Sequence, residues 1–183
     1  MKEQQKKYEL TDEFIELWNG KKLYRIRALV TFGAVVAGQL GGFVESEKNL
    51  NQSLLGDAWV YSNAWVYGDA EVYGNAWVYG NARVYGNARV YGNARVYGDA
   101  LVGSYAVISE RKMIFWASNV GSENGTLTVF NGKYGLIVTR GCFAGTVDEF
   151  LAKSAKVHDD KTINEYKLLI EVAKSRILGV KDE

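Results

Sequence analysis

The sequence predicts a mainly β protein built around a short parallel β-helix. Three observations predict it. From Ala58 the chain passes through nine six-residue units: AWVYSN, AWVYGD, AEVYGN, AWVYGN, ARVYGN, ARVYGN, ARVYGD, ALVGSY and AVISER. Each unit alternates with period two, as a short strand does. Most units end in Gly-Asn or Gly-Asp, which tolerate the positive φ of a tight corner. One such unit cannot bury its own face, whereas stacked units can.

Taken in chain order, the elements fall into an N-terminal cap (residues 1–53), the repeats (54–120) and a C-terminal module (121–183). In the first, Thr11 is placed to cap a short helix with Asp12 and Glu13 in its first turn and Phe14, Leu17 and Trp18 on one face. Asn19-Gly20 ends that helix, and residues 21–32 read as a strand. Leu54 before the repeats, and Ile114 and Val120 after them, keep a weak echo of the apolar register. Residues 126–140, TLTVF-NGKYG-LIVTR, read as a hairpin. Thr146 and Glu149 have capping-box spacing and open a helix through about residue 157. A second helix, about 163–177, carries Tyr166, Leu169, Ile170, Ala173 and Ile177 on one stripe. The module is therefore β-β-α-α. Both flanks are positioned to cover the open ends of the β-helix, whose bare strand edges invite aggregation.

Within a unit, either Ala and Val point inward or the second position and Tyr do. The second choice would bury Arg83, Arg89 and Arg95 unpaired in a narrow core, at several kcal/mol each. Ala and Val are therefore inside, and Trp, Arg, Glu and Tyr outside.

The pattern resembles the hexapeptide-repeat family, which has an aliphatic residue at one position and a small one four residues later, as in Val60 with Ala64. The resemblance implies a left-handed coil of three hexads, 18 residues per turn, and about three coils for nine hexads. Outward positions then stack in columns: Trp59-Trp77-Arg95, Trp65-Arg83-Leu101 and Glu71-Arg89-Val107. Coils lie about 4.8 Å apart, so Arg95 meets Trp77 and Arg83 meets Trp65 as cation–π pairs, and Arg89 meets Glu71. Tyr61-Tyr79-Tyr97, Tyr67-Tyr85 and Tyr73-Tyr91 form ladders. In linear text the Arg/Tyr repeat looks like a nucleic-acid platform. On a coil the three arginines point three ways, each toward a partner, and a nucleic-acid role loses ground. The ladder surface suits subunit packing, and a homo-oligomer, by family likeness a trimer, is expected.

The net charge is +1, which gives no general pull toward nucleic acid or anionic lipid. A single cysteine, Cys142, excludes an intrachain disulfide and fits a reducing compartment. The basic N-terminus has no apolar stretch behind it, and no run approaches about 18 apolar residues. A cytoplasmic protein is expected. Hexapeptide-repeat relatives are mostly acyltransferases with a histidine base. Here the sole histidine, His158, follows the first C-terminal helix, where the plainer reading is a solvated helix-end residue. No Ser-His-Asp arrangement supports it. A lone cysteine such as Cys142 is usually a small buried apolar residue, and as a nucleophile it would need His158 as its base. One Cys and one His do not make a metal site, and the glycines have corner spacing rather than that of a phosphate loop. No cofactor is expected.

Two flanks sharpen the resemblance. LYRIRALVTFGAVVAGQLGGFVESEKNLNQ (residues 23–52), running into GDAWVY, resembles the N-terminal segment of hexapeptide-repeat proteins carried by phages and prophages. NVGSENGTLTVF followed by RGCFAGTVDEFLAKSAKVH resembles a C-terminal module of such proteins, with GCFxGTxxEF the most specific part. The phage module carries a basic residue after Gly-Ser, where this chain has Glu123. The module gathers Ser122, Asn124, Thr126, Arg140, Cys142, Thr146 and His158 around its loops, a candidate pocket for a small ligand. The plainer reading makes Thr146 a helix cap and the rest surface. Phages also encode non-enzymatic proteins that sequester nucleotide-like host signals or block host proteins. The expectation is a non-catalytic, homo-oligomeric binding protein. An acyltransferase-like enzyme and a structural virion component are the alternatives.

Overall fold

The structure, a computed structural model, describes residues 4–179; the outer ends of the two expected flanking domains, residues 1–3 and 180–183, lie outside them. Three antiparallel strands lead in: β1 (Tyr8–Glu16), β2 (Lys22–Ala28) and β3 (Leu40–Val44). Nine two-residue strands follow at six-residue intervals: β4 (Trp59–Val60), β5 (Trp65–Val66), β6 (Glu71–Val72), β7 (Trp77–Val78), β8 (Arg83–Val84), β9 (Arg89–Val90), β10 (Arg95–Val96), β11 (Leu101–Val102) and β12 (Val107–Ile108). The chain ends in an antiparallel sheet of β13 (Ile114–Val120), β14 (Gly125–Gly132), β15 (Gly135–Arg140) and β16 (Phe143–Thr146). Two helices close it, α1 (Val147–Val157) and α2 (Asp160–Leu178).

The repeats coil as a β-solenoid. Strands pair in parallel with the strand three units on, so β4-β7-β10, β5-β8-β11 and β6-β9-β12 form three faces. The ladder advances one coil at a time: Trp65 N–H donates to Ala82 O at 3.0 Å, and Tyr67 N–H to Val84 O at 3.0 Å. Every repeat alanine from Ala58 to Ala106 is buried, as is the aliphatic residue two places on. The corners lie in the left-handed region, as at Gly74 (φ 66°), where an added Cβ would also sit 3.0 Å from Gly92 N. Ser62 and Ser104 adopt the same conformation at two corners.

The solenoid has about four turns, between residues 43 and 108, rather than three. The extra turn comes from segments without the hexad text. Phe43-Val44 pairs in parallel with Trp65-Val66, and Leu50 bridges to Val72. Leu54, by contrast, is exposed, and Ile114 and Val120 belong to the C-terminal sheet.

The helix expected from Thr11 is a strand. Its apolar face would have had no partner: Trp18 is 96% exposed. Pairing with β2, with Phe14 opposite Tyr24 and Ile15 opposite Leu23, gives the backbone its hydrogen bonds instead. Asn19-Gly20 marks a turn as expected, but of a hairpin: Leu17 N–H donates to Lys21 O at 2.8 Å, and Gly20 has φ 81°.

Trp59 was expected outside with its column. It is fully buried, because the N-terminal strands fold over it and set Tyr8 and Phe32 edge-on to its ring at 6.0 and 5.4 Å. The columns themselves form in register. Arg83 lies 4.1 Å over Trp65 and Arg95 4.0 Å over Trp77. Arg89 and Glu71 are neighbours in register, yet no ion pair joins them among the described residues. Tyr67-Tyr85, Tyr73-Tyr91 and Tyr79-Tyr97 stack at 5.6, 4.9 and 4.7 Å. Tyr61 leaves its ladder and meets Trp77 edge-on at 5.4 Å.

Both ends of the solenoid are covered. In this ladder each N–H points toward the following coil, so the first full coil has carbonyls with no donor below. Side chains supply the donors: Lys7 Nζ reaches Gly56 O and Ala58 O, each at 2.8 Å, and Asn49 Nδ2 reaches Gly68 O and Ala70 O at 3.1 and 2.9 Å. At the far end β14 and β15 lie across the last coil. Thr128 Oγ1 accepts from Leu101 N–H at 3.1 Å, and Thr139 Oγ1 donates to Leu101 O at 2.5 Å. Alternation along β14 divides its faces. Phe130 joins the solenoid core, while Leu127 and Val129 join a second core with Val138, Phe150, Tyr166 and Ile170. The module thus has four strands rather than two, and β14 is buried on both faces.

Candidate functional site

The module's hairpin and its first helix form where expected, and together they make a cleft of about 250 Å³. Four of the residues singled out from sequence line it: Ser122, Arg140, Cys142 and His158. Arg140, at the end of β15, lays its guanidinium on Gly125, where an added Cβ would lie 2.5 Å from Nη1. Its Nη2 makes one long contact to Val120 O at 3.4 Å, and its Nε is buried without a partner among the described residues. Cys142 sits in the β15–β16 turn and is exposed, so the expected buried apolar role does not hold. The turn places it after Gly141, at φ 57°, outside either core.

His158 caps the end of α1, its backbone N–H bonded to Ser154 O at 3.0 Å. Its ring packs edge-on to Tyr166 at 5.6 Å. Asp159 caps α2, accepting from Thr162 N–H at 2.9 Å; hydrogen bonding from the Thr162 side chain, and next from its backbone N–H, holds its carboxyl below the ordinary carboxylate range. Ser122 stands in the turn between β13 and β14, braced where Gly121 N–H donates to Glu165 Oε1 at 3.0 Å.

The other three residues lie elsewhere. Thr146 caps α1: its Oγ1 accepts from Glu149 N–H at 3.2 Å, and Glu149 Oε2 accepts from Thr146 N–H at 2.8 Å. It borders a separate depression of about 180 Å³ beside Tyr134. Thr126 Oγ1 pairs with Ser118 Oγ at 3.0 Å. Asn124 shapes a turn at φ 50°. The sequence reading missed Lys153 and Ser154, which line the cleft with Phe150. Lys153 Nζ lies 5.3 Å over the Phe143 ring, and Ser154 Oγ is buried and unpartnered among the described residues. The available signal was the four-residue spacing of Phe150, Ser154 and His158, which puts all three on one helix face. Among the described residues, no group of three or more His, Cys, Asp or Glu could hold a metal ion.

A second, larger cleft of about 630 Å³ runs between one solenoid face and α2, bordered by Trp77, Tyr79, Arg95, Arg111, Trp116 and Arg176. Among the described residues, no helix is long and apolar enough to cross a membrane.

The architecture defines a β-solenoid repeat protein with a closed first coil and a sheet-and-helix module on the last. Four overlapping stretches, residues 70–86, 76–89, 82–98 and 88–110, match the YdcK beta solenoid repeat, each beginning on an inward alanine. The repeats are thus similar to the YdcK beta solenoid repeat over residues 70–110. No curated protein matches the chain.

Proposed function

We propose that this chain is a non-catalytic binding protein of phage or prophage type, in which the solenoid is a rigid scaffold and the C-terminal module recognises a small anionic ligand. One observation carries this reading: the module cleft collects Arg140, Lys153, Ser122 and His158, against the one carboxylate of Glu123 in its lining, around two buried polar atoms, Arg140 Nε and Ser154 Oγ, that lack partners among the described residues. Buried polar atoms are rarely left unpaired, because each costs about 1–3 kcal/mol. A carboxylate or phosphate supplies the acceptors that a guanidinium and a hydroxyl lack, and a planar guanidinium suits either. Nucleotide-type signals are the first candidates. The outward aromatics of the solenoid, with Tyr105 52% exposed, support a homo-oligomer, and by the hexapeptide-repeat likeness a trimer.

Thermal unfolding across a panel of nucleotides, cyclic dinucleotides and small carboxylates tests the reading. A true ligand at about a hundredfold excess over Kd stabilises the chain by about 2.7 kcal/mol, and Arg140→Ala removes the shift. Native mass spectrometry gives the subunit count in the same experiment. Cys142 and His158 line one cleft, which is the observation favouring an acyltransferase. Turnover of an acyl thioester that His158→Ala abolishes would establish that enzyme and sink the non-catalytic reading.

A further inference from the structure

The larger cleft has a composition that the fold alone does not call for. Three guanidinium groups approach it from three separate elements: Arg95 from β10, Arg111 from the turn after β12, and Arg176 from α2. None of the three is in an ion pair among the described residues, and no carboxylate lines the cleft. Arg95 is held in place: Nη1 donates to Asn75 O at 2.7 Å and Ala94 O at 3.0 Å, and the guanidinium lies 4.0 Å over Trp77. Burial, and next the neighbouring Arg111 charge, pull its pKa below the ordinary arginine value. The protein therefore converges like charges without supplying a counter-charge.

Beside them stands an aromatic wall. Tyr79 and Tyr97 stack at 4.7 Å with their planes 8° apart. Trp116, from β13, meets Tyr97 edge-on at 4.5 Å and 87°, closing the end of that stack. Val172 of α2 faces them across the cleft. Converging guanidinium groups are suited to phosphate oxygens, and aromatic or guanidinium planes to a base. The volume lies within the roughly 300–1,000 Å³ of small-molecule sites.

We infer that this cleft binds a nucleotide carrying two or more phosphates, with the phosphates among Arg95, Arg111 and Arg176 and the base against Trp116. A nucleic-acid strand fits less well. It needs a track of cations and stacking rings, whereas the remaining repeat arginines, Arg83 and Arg89, lie on the other two solenoid faces. The inference uses no residue of the module cleft, so it stands or falls apart from the function proposed above.

Quenching of tryptophan fluorescence, with calorimetry for stoichiometry, tests it on the full chain. The probes are ADP, GDP, inorganic pyrophosphate and a single-stranded oligonucleotide. The expected result is diphosphate binding with affinity reduced at least about tenfold in both Arg111→Ala and Arg176→Ala and unchanged in Arg140→Ala, which alters only the module cleft. These two residues are exposed, so the variants should keep the wild-type circular dichroism spectrum. Lys167→Ala, on α2 but not lining the cleft, should bind as wild type does. Absence of binding by either diphosphate overturns the inference, as does affinity that ignores both arginine variants. Pyrophosphate binding as tightly as ADP and GDP would leave an anion site without a base site and overturn it too. So would an oligonucleotide that binds more tightly than either diphosphate.

Discussion

A lysine near an N-terminus reads as solvated, yet Lys7 is buried beneath the first coil. Its ammonium donates to two carbonyls that the ladder leaves open and lies 4.2 Å over the Phe32 ring. Burial brings its pKa down to about 8, with Asp57 opposing. Below pH 8 both folded and unfolded chains hold the proton, and the fold bears the full cost of the buried charge. Between pH 8 and the ordinary lysine value the unfolded chain holds more protons, so stability rises with pH. Lys7→Met lacks that rise. Urea unfolding at about pH 7 and about pH 10 should show wild type gaining about 1–3 kcal/mol relative to the variant. Above that window tyrosines interfere, since burial raises Tyr8 and its stabilising effect is lost as pH climbs. Neither the burial of Lys7 nor that of Trp59 was legible locally, because both depend on a strand folding back across the coil.

At the scale of elements, local rules succeeded where the partner was also local. The Thr146–Glu149 capping box forms as its spacing implies, since both groups lie within one helical turn. Thr146→Ala should cost about 1 kcal/mol in urea unfolding, the ordinary value of a lost N-cap. It should leave the module cleft intact, because Thr146 does not line it. The N-terminal segment failed the same treatment. Thr11 with Phe14, Leu17 and Trp18 carries helical spacing, but β2 offers that segment a full set of hydrogen bonds and nothing offers its apolar stripe a surface. β13 and β16 were missed for a related reason. β16 has only four residues, and both strands are held by their neighbours, β14 and β15, rather than marked by their own alternation.

At the scale of the molecule, the solenoid is a stack with two ends, and much of the rest of the chain serves to close them. Phe130 and Ile114 enter the solenoid core from the C-terminal sheet, and Thr128 and Thr139 meet the last coil's backbone. A chain ending at Met113 would bare the edges of β10, β11 and β12. Such edges template pairing between molecules. The truncated chain should therefore elute as aggregate in size-exclusion chromatography, while the full chain elutes as a discrete species; a discrete truncated species would show that the coils need no cover at this end.

The sequence by itself determined the solenoid: inward Ala58 to Ala106, the corners at glycine, the columns that set Arg83 on Trp65 and Arg95 on Trp77. It could do so because a repeat carries its own register, and the only question left, which face turns inward, is decided by the cost of burying three arginines. Only the tertiary structure decided that Trp59 is core, that Lys7 and Asn49 complete the first coil, and that Arg95, Arg111 and Arg176 share one cleft. Those facts depend on residues between about twenty and eighty positions apart being brought together by packing, and neither alternation nor spacing within an element carries that distance.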